Sequence, residues 1–192
     1  KHPAQKVKIA VADIDGILRG KVIALEKFLS AKEKGFGFCD VAFGWDSSDA
    51  CYDNSQITGW HTGYPDAEAK IDLGTFRNVP WDNDIPFFLA DFPTLPSCPR
   101  NLLKKIKKQS EEMGFSPFFS QEFEWFNFKE TPHSLYKKKF NNLRTLTPGM
   151  FGYSILRSSY NSQKKDPHDD NQKKSGTNFF NELFDQLKMF KI

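Results

Sequence analysis

Glu122 and Glu124 stand two positions apart in Gln121-Glu122-Phe123-Glu124-Trp125-Phe126-Asn127-Phe128. The stretch is aromatic-rich and alternating, a pattern that predicts a β-strand. On a strand, successive side chains point to opposite faces. One face then carries Gln121, Phe123, Trp125 and Asn127; the other carries Glu122, Glu124, Phe126 and Phe128. At the rise of a strand the two carboxylates sit about 6–7 Å apart. They share their face with two phenylalanines, which predicts partial burial. Two unpaired carboxylates there would be costly or forced to protonate. A divalent cation removes that conflict, and carboxylate oxygens are the donors that Mg2+ and Mn2+ prefer. The alternatives on spacing alone are a wet glutamate face at a strand end and glutamates paired with lysines from elsewhere.

The elements that must position this pair follow from the rest of the chain. Its 192 residues allow one or two domains with a sizeable core. With 39% hydrophobic residues and 20 Phe, the composition is globular. No run of ~18 apolar residues occurs, so no membrane span is expected. The N-terminus has no signal-peptide core. Cys39, Cys51 and Cys98 are an odd, widely spaced set without a C-x-x-C, which fits reduced thiols in a cytoplasmic protein. A net charge of +3 does not call for a nucleic-acid partner.

Residues 6–12 alternate as a strand, and Asp15-Gly16 signals a hairpin returning over residues 17–23. Residues 26–34 suit a helix ended by Gly35. Residues 36–43, 69–73 and 87–91 are further strands. Residues 45–60 form a long polar loop, a type of segment that is usually functional. The first ~95 residues thus predict a small mixed sheet with one or two helices. The proline-rich stretch 93–99 marks a boundary, with Pro99 opening a helix over 100–113. On that helix Leu102, Leu103, Ile106 and Met113 are expected to face inward. Lys104, Lys105, Lys107 and Lys108 are expected to be a solvated face. Residues 162–178 contain no apolar residue and predict a disordered loop. Its Asp166, His168, Asp169 and Asp170 have no fixed geometry for a metal. Phe179, Phe180, Leu183, Phe184, Leu187 and Phe190 stand at helical spacing.

No Walker A loop, G-x-S-x-G or H-E-x-x-H motif is present, and the four histidines are scattered. Residues 34–41 resemble an RNA-recognition signature, whose aromatics stack on bases. The final aromatic position is Val41, however, and the first strand carries no aromatic companion.

Three segments in order resemble the glutamine synthetase family. Asp15-Gly16 through Arg19-Gly20-Lys21 is similar to that family's first hairpin. Asp72-Leu73-Gly74-Thr75-Phe76-Arg77-Asn78-Val79-Pro80-Trp81 is similar to its D-x-x-T-x-R-x-x-P-W signature. Met113-Gly114-Phe115 followed by Glu122-Phe123-Glu124-Trp125-Phe126 resembles the E-x-E strand that opens its catalytic domain. The resemblance implies an α+β chain: a β-grasp-like N-terminal domain over residues 1–95, then the incomplete start of a catalytic α/β domain over 96–192. It implies a ligase that uses ATP to form γ-glutamyl phosphate, which ammonia or an amine then attacks. Glu122 and Glu124 match the carboxylates that bind Mg2+ or Mn2+. Phe43-Gly44-Trp45-Asp46-Ser47-Ser48-Asp49 replaces the family's F-D-G-S-S loop, which reaches a neighbouring subunit's active site. Asp46, Asp49 and Asp53 are the candidates for that role. The changed loop points to the branch that joins glutamate to an amine, such as the γ-glutamylpolyamine ligases. The resemblance also implies a ring-shaped homo-oligomer. Family members are over twice this length, so a truncated chain, inactive alone, is expected, and the final apolar helix without a following element agrees. The other expectation is a non-catalytic relative with a structural or regulatory role.

Overall fold

The structure is a computed structural model, and it describes residues 3–123, 128, 130–144 and 179–192. Backbone proximity divides the chain into two compact units, Lys1–Phe118 and Phe119–Ile192. The first unit is built on one five-stranded mixed sheet of order β2-β1-β5-β4-β3. Its strands are β1 (Lys6–Ala12), β2 (Leu18–Ala24), β3 (Phe36–Cys39), β4 (Asp66–Val79) and β5 (Ile85–Asp91). Interior strand β1 runs antiparallel to β2 and parallel to β5, with Val11 opposite both Arg19 and Ala90. Helices α1 (Leu25–Lys34) and α2 (Pro99–Glu112) complete it.

The hairpin forms where Asp-Gly places it. Gly16 takes φ +80°, a region that only glycine enters cheaply. Asp13, fully buried, accepts the Asp15 and Ile17 amides through Oδ1 at 2.9 and 2.8 Å. The turn's donors are therefore satisfied without water. Val7, Ile9 and Val11, spaced by two, are all buried. Val7 and Ile9 pack with Ile23, Phe28 and Phe88, and the Phe28 and Phe88 rings stack at 4.8 Å. Helix α1 reaches them through Phe28 and Ala31, one turn apart, and ends where Gly35 donates to the Ala31 carbonyl at 2.8 Å. Val11 also joins a second cluster of Phe43, Ala69, Ala90, Phe92 and Cys98.

Three elements differ from the sequence pattern. The strand expected over 36–43 stops at Cys39, and Asp40–Phe43 is a 3-10 turn. Asp40 is buried there, accepting the Thr58 hydroxyl at 2.5 Å. Strand β4 continues past Leu73 to Val79, with an irregularity between Asp72 and Arg77. Gly74 reads as a strand breaker but marks a bulge. Thr75 Oγ1 donates to the Asp72 carbonyl at 2.6 Å and accepts the Leu89 amide at 2.8 Å, replacing ladder bonds lost to the bulge.

The third difference is α2. Leu102, Leu103 and Ile106 are 57%, 58% and 51% exposed, and Met113 is exposed as well, so the apolar stripe is not turned inward. The helix is attached by charge instead. Arg100 donates from Nη1 to both carboxylate oxygens of Asp91, at 2.7 and 2.8 Å, and from Nη2 to Asp72 at 2.9 Å. Lys104, expected on a solvated face, donates to Asp91 at 2.5 Å and Asp72 at 2.9 Å. Lys107 and Lys108 pair with Glu111 and Glu112 one turn on.

In the second unit, α3 (Pro132–Lys138) begins with a capping box between Thr131 and Ser134, and α4 (Phe179–Phe190) is the expected C-terminal helix. The loop expected over 162–178 lies outside the described residues. No helix among the described residues is long and apolar enough to cross a membrane.

Candidate functional site

Gln121, Glu122 and Phe123 have irregular backbone and are exposed. A strand needs a neighbour for its backbone groups, and none of the described strands pairs with these three. Glu122 makes no ion pair with another described residue, and Glu124 lies outside the described residues. Among the described residues no group of three or more potential metal ligands converges. Glu122 is thus an accessible hard oxygen donor whose companions for an octahedral ion must come from elsewhere.

The structure does assemble one polar centre that the spacing did not announce. It joins the β1–β2 turn to the start of the long loop. After the 3-10 turn, the chain folds back on itself: Trp45 bridges to Cys51, the Asp46 amide reaches the Ala50 carbonyl at 3.1 Å, and the Tyr52 amide reaches the Gly44 carbonyl at 2.8 Å. Asp46 Oδ1 accepts the Ser48 and Ala50 amides at 2.8 and 3.0 Å, as aspartate does in turns. The tip of this small hairpin meets Arg19 on β2. Arg19 donates from Nε to Asp13 Oδ2 at 2.8 Å, from Nη1 to Asp49 Oδ1 at 2.6 Å and from Nη2 to the Asp46 carbonyl at 3.1 Å. Its guanidinium also lies 4.8 Å from the centre of the Trp45 ring.

The electrostatics follow from these partners. Hydrogen bonds to Asp13 first, then Asp49, raise the Arg19 pKa above its usual value. The Tyr52 hydroxyl is pushed up, chiefly by burial and then by the charges of Asp15, Asp46 and Asp13. The Tyr64 hydroxyl is pushed up by burial first and by the adjacent Cys51 thiol second. Further along, Trp60 is 87% exposed, with its ring edge-on to Tyr64 at 5.4 Å.

Of the three aspartates singled out in this loop, Asp46 and Asp49 are brought together by Arg19. Asp53 lies exposed, outside that network. Arg19 belongs to the first signature, yet neither it nor Asp13 is among the candidate site residues that the sequence offers. The signal is the arginine just after the Asp-Gly turn: Arg19 pairs across the ladder with buried Val11, so its charge needs a partner. In the second signature, Asp72 and Thr75 act locally. Thr75 fills the bulge, and Asp72 clamps α2 with its carboxyl held below the usual range by Lys104 first and Arg100 next, against the opposing effect of burial. The two rings of the RNA-recognition-like segment pack inward. Phe38 is edge-on to Phe92 at 6.1 Å, and the Lys21 ammonium lies over Phe36 and Phe38 at 5.7 and 4.9 Å. Those faces are taken by the protein's own groups.

No family model matches the chain. It is 56% identical over 162 residues to Type-1 glutamine synthetase 2 of Dictyostelium discoideum, covering 82% of this chain and 31% of that protein. It is 32% identical over 168 residues to glutamate–isopropylamine ligase of Pseudomonas sp, covering 84% of this chain and 37% of that protein. Among solved structures, a crystal structure of a novel glutamine synthase homolog is 18% identical, covers 57% of this chain and 27% of its own, and has a TM-score of 0.46. The chain spans about a third of the length of the two curated relatives. Over the segment it shares with them, the chain belongs to the glutamine synthetase family.

Proposed function

We propose that this chain is the N-terminal part of an ATP-dependent carboxylate–amine ligase, which activates glutamate as γ-glutamyl phosphate and passes the acyl group to ammonia or an amine. The observation that carries the reading is the 56% identity to a type-1 glutamine synthetase across 82% of the chain. The 32% match to a glutamate–isopropylamine ligase supports an alkylamine acceptor. So does the Gly44-Trp45-Asp46-Ser47-Ser48-Asp49 loop, which departs from the family's F-D-G-S-S pattern. A β-grasp-like N-terminal domain over residues 1–95 fits the order β2-β1-β5-β4-β3 with α1 after the first hairpin. The catalytic domain would begin after it. A homo-oligomer and a cytoplasmic location complete the proposal.

Glu122 and Glu124 are the proposed protein ligands of Mg2+ or Mn2+. Carboxylates suit these hard ions, and the Glu122 side chain is open to one. Such ions, when bound, neutralise charge developing on the transferring phosphoryl group and align it. The chain's own contribution would be two anionic oxygens held on one short segment.

The test uses the intact protein with ATP, glutamate and either ammonia or isopropylamine, reading phosphate release and the γ-glutamyl product. Product with either acceptor is expected, and the better acceptor identifies the branch. In Glu124→Ala, Mn2+ affinity and turnover should both fall by about 10- to 100-fold or more. An unchanged Mn2+ titration would remove the metal assignment. Product with neither acceptor, in protein that binds Mn2+ normally, would favour a structural or regulatory relative.

A further inference from the structure

We propose that Arg19 is a positioning residue that fastens the tip of the 44–52 hairpin to the β1–β2 turn, so that Asp46, Ser47, Ser48 and Asp49 are presented preformed. The inference goes beyond the ligase reading and stands on geometry alone. Three nitrogens of one guanidinium reach three different acceptors. Nε takes the Asp13 carboxylate, Nη1 takes the Asp49 carboxylate, and Nη2 takes the Asp46 carbonyl. The first acceptor is itself immobile, because Asp13 is fully buried and its other oxygen holds two turn amides. The second and third lie 30 and 27 residues away in sequence. A second strut runs beside the first, from the Ile14 amide to the Ala42 carbonyl at 3.1 Å, at the base of the same loop.

The tip has little else to hold it. Ser47, Ser48, Asp49 and Ala50 are exposed, and among the described residues its remaining hydrogen bonds are internal to the tip. Asp49 takes φ +63°, a left-handed turn conformation that aspartate tolerates better than most residues. The Nη1–Asp49 bond anchors the carboxylate of that turn, and the Trp45 ring under the guanidinium restricts where the fork points. Lysine could offer the charge but not a planar fork serving three directions. The tip's backbone is therefore ordered before it meets any partner, which lowers the ordering entropy lost on contact.

The experiment is hydrogen exchange on the intact protein, with Arg19→Ala, Arg19→Lys and Asp49→Asn. The reporters are the amides of Asp46, Ser48, Asp49 and Ala50, each of which donates within the tip. Arg19→Ala and Arg19→Lys should each speed their exchange by about tenfold or more, as expected for losing hydrogen bonds to charged groups. The amides of β1 and β5 should exchange as in wild type. Asp49→Asn should loosen the tip while leaving the Asp15 and Ile17 amides protected, and it carries the test if both Arg19 variants unfold. The Trp45 emission, obtained by difference from Trp45→Phe, should shift in both Arg19 variants. Tip exchange within twofold of wild type in Asp49→Asn and in any folded Arg19 variant would overturn the proposal. So would full restoration by Arg19→Lys. Ligase activity does not enter either readout, so loss of the ligase reading would leave this one standing.

Discussion

Thr75 illustrates how a single hydroxyl holds a strand together. It closes the bulge of β4 by donating to the Asp72 carbonyl and accepting from the Leu89 amide. Thr75→Val keeps the shape and strands that amide. It should destabilise the first unit by about 1–3 kcal/mol, read as a lower urea midpoint with an unchanged slope. Gly20 makes the same point through absence. A Cβ there would collide with the Ile9 carbonyl and press on Ala10. Gly20→Ala should therefore cost about 1–3 kcal/mol by overpacking, although Gly20 sits on an edge strand. Glu130 is the corresponding hub in the second unit. It accepts from Lys138, Ser134 and the Arg144 amide, and these partners, Lys138 foremost, hold its carboxyl down at about 2. A depressed carboxylate contributes stability above its ordinary value and loses it as pH falls through the folded one. Exchange protection of α3 should thus fade between about pH 4.5 and pH 2. It should become insensitive to that range in Glu130→Gln.

At the scale of elements, α2 is the case where charge does what apolar packing usually does. Burial works against the positive charges of Arg100 and Lys104, but their bonds to Asp91 and Asp72 outweigh it and raise both pKa values. Their contribution persists at every pH below the ordinary lysine range and is lost only as pH rises through the raised values. Asp72, depressed, contributes above the ordinary carboxylate range and fails as pH drops through its lower value. Between those limits the helix should stay docked. Arg100→Met should weaken it by about 1–3 kcal/mol. It should also make α2 amide exchange more salt-sensitive, because Lys104, half exposed and easily screened, is then the remaining attachment to Asp91 and Asp72. Equal exchange in 0.05 M and 0.5 M salt would refute this account.

At the scale of the molecule, apolar surface is left over. Leu102, Leu103, Ile106, Met113, Phe115 and Phe118 are all exposed within the first unit. Such a stripe facing water favours association. The 192-residue chain by itself should bind a hydrophobic dye and self-associate at micromolar concentration, and Leu103→Lys with Ile106→Glu should suppress both. A monomeric, dye-silent chain would contradict it.

Local rules carried far because they are local. Asp-Gly and alternation placed the first hairpin, and Gly35 placed the end of α1, since turn and helix geometry depend on neighbours in sequence. The family was legible from ordered signatures. Other features depended on partners far along the chain. The Asp40–Thr58 bond ended β3 early, and Thr75 with Leu89 carried β4 through a glycine that reads as a breaker. Helix α2 turned Arg100 and Lys104, not its leucines, to the sheet because Asp72 and Asp91 wait there, 32 and 13 residues before Lys104. No periodicity encodes such a pairing. The same holds for the polar centre: spacing offered Asp46, Asp49 and Asp53 as equals, and only tertiary contact with Arg19, itself fixed by buried Asp13, selected the first two.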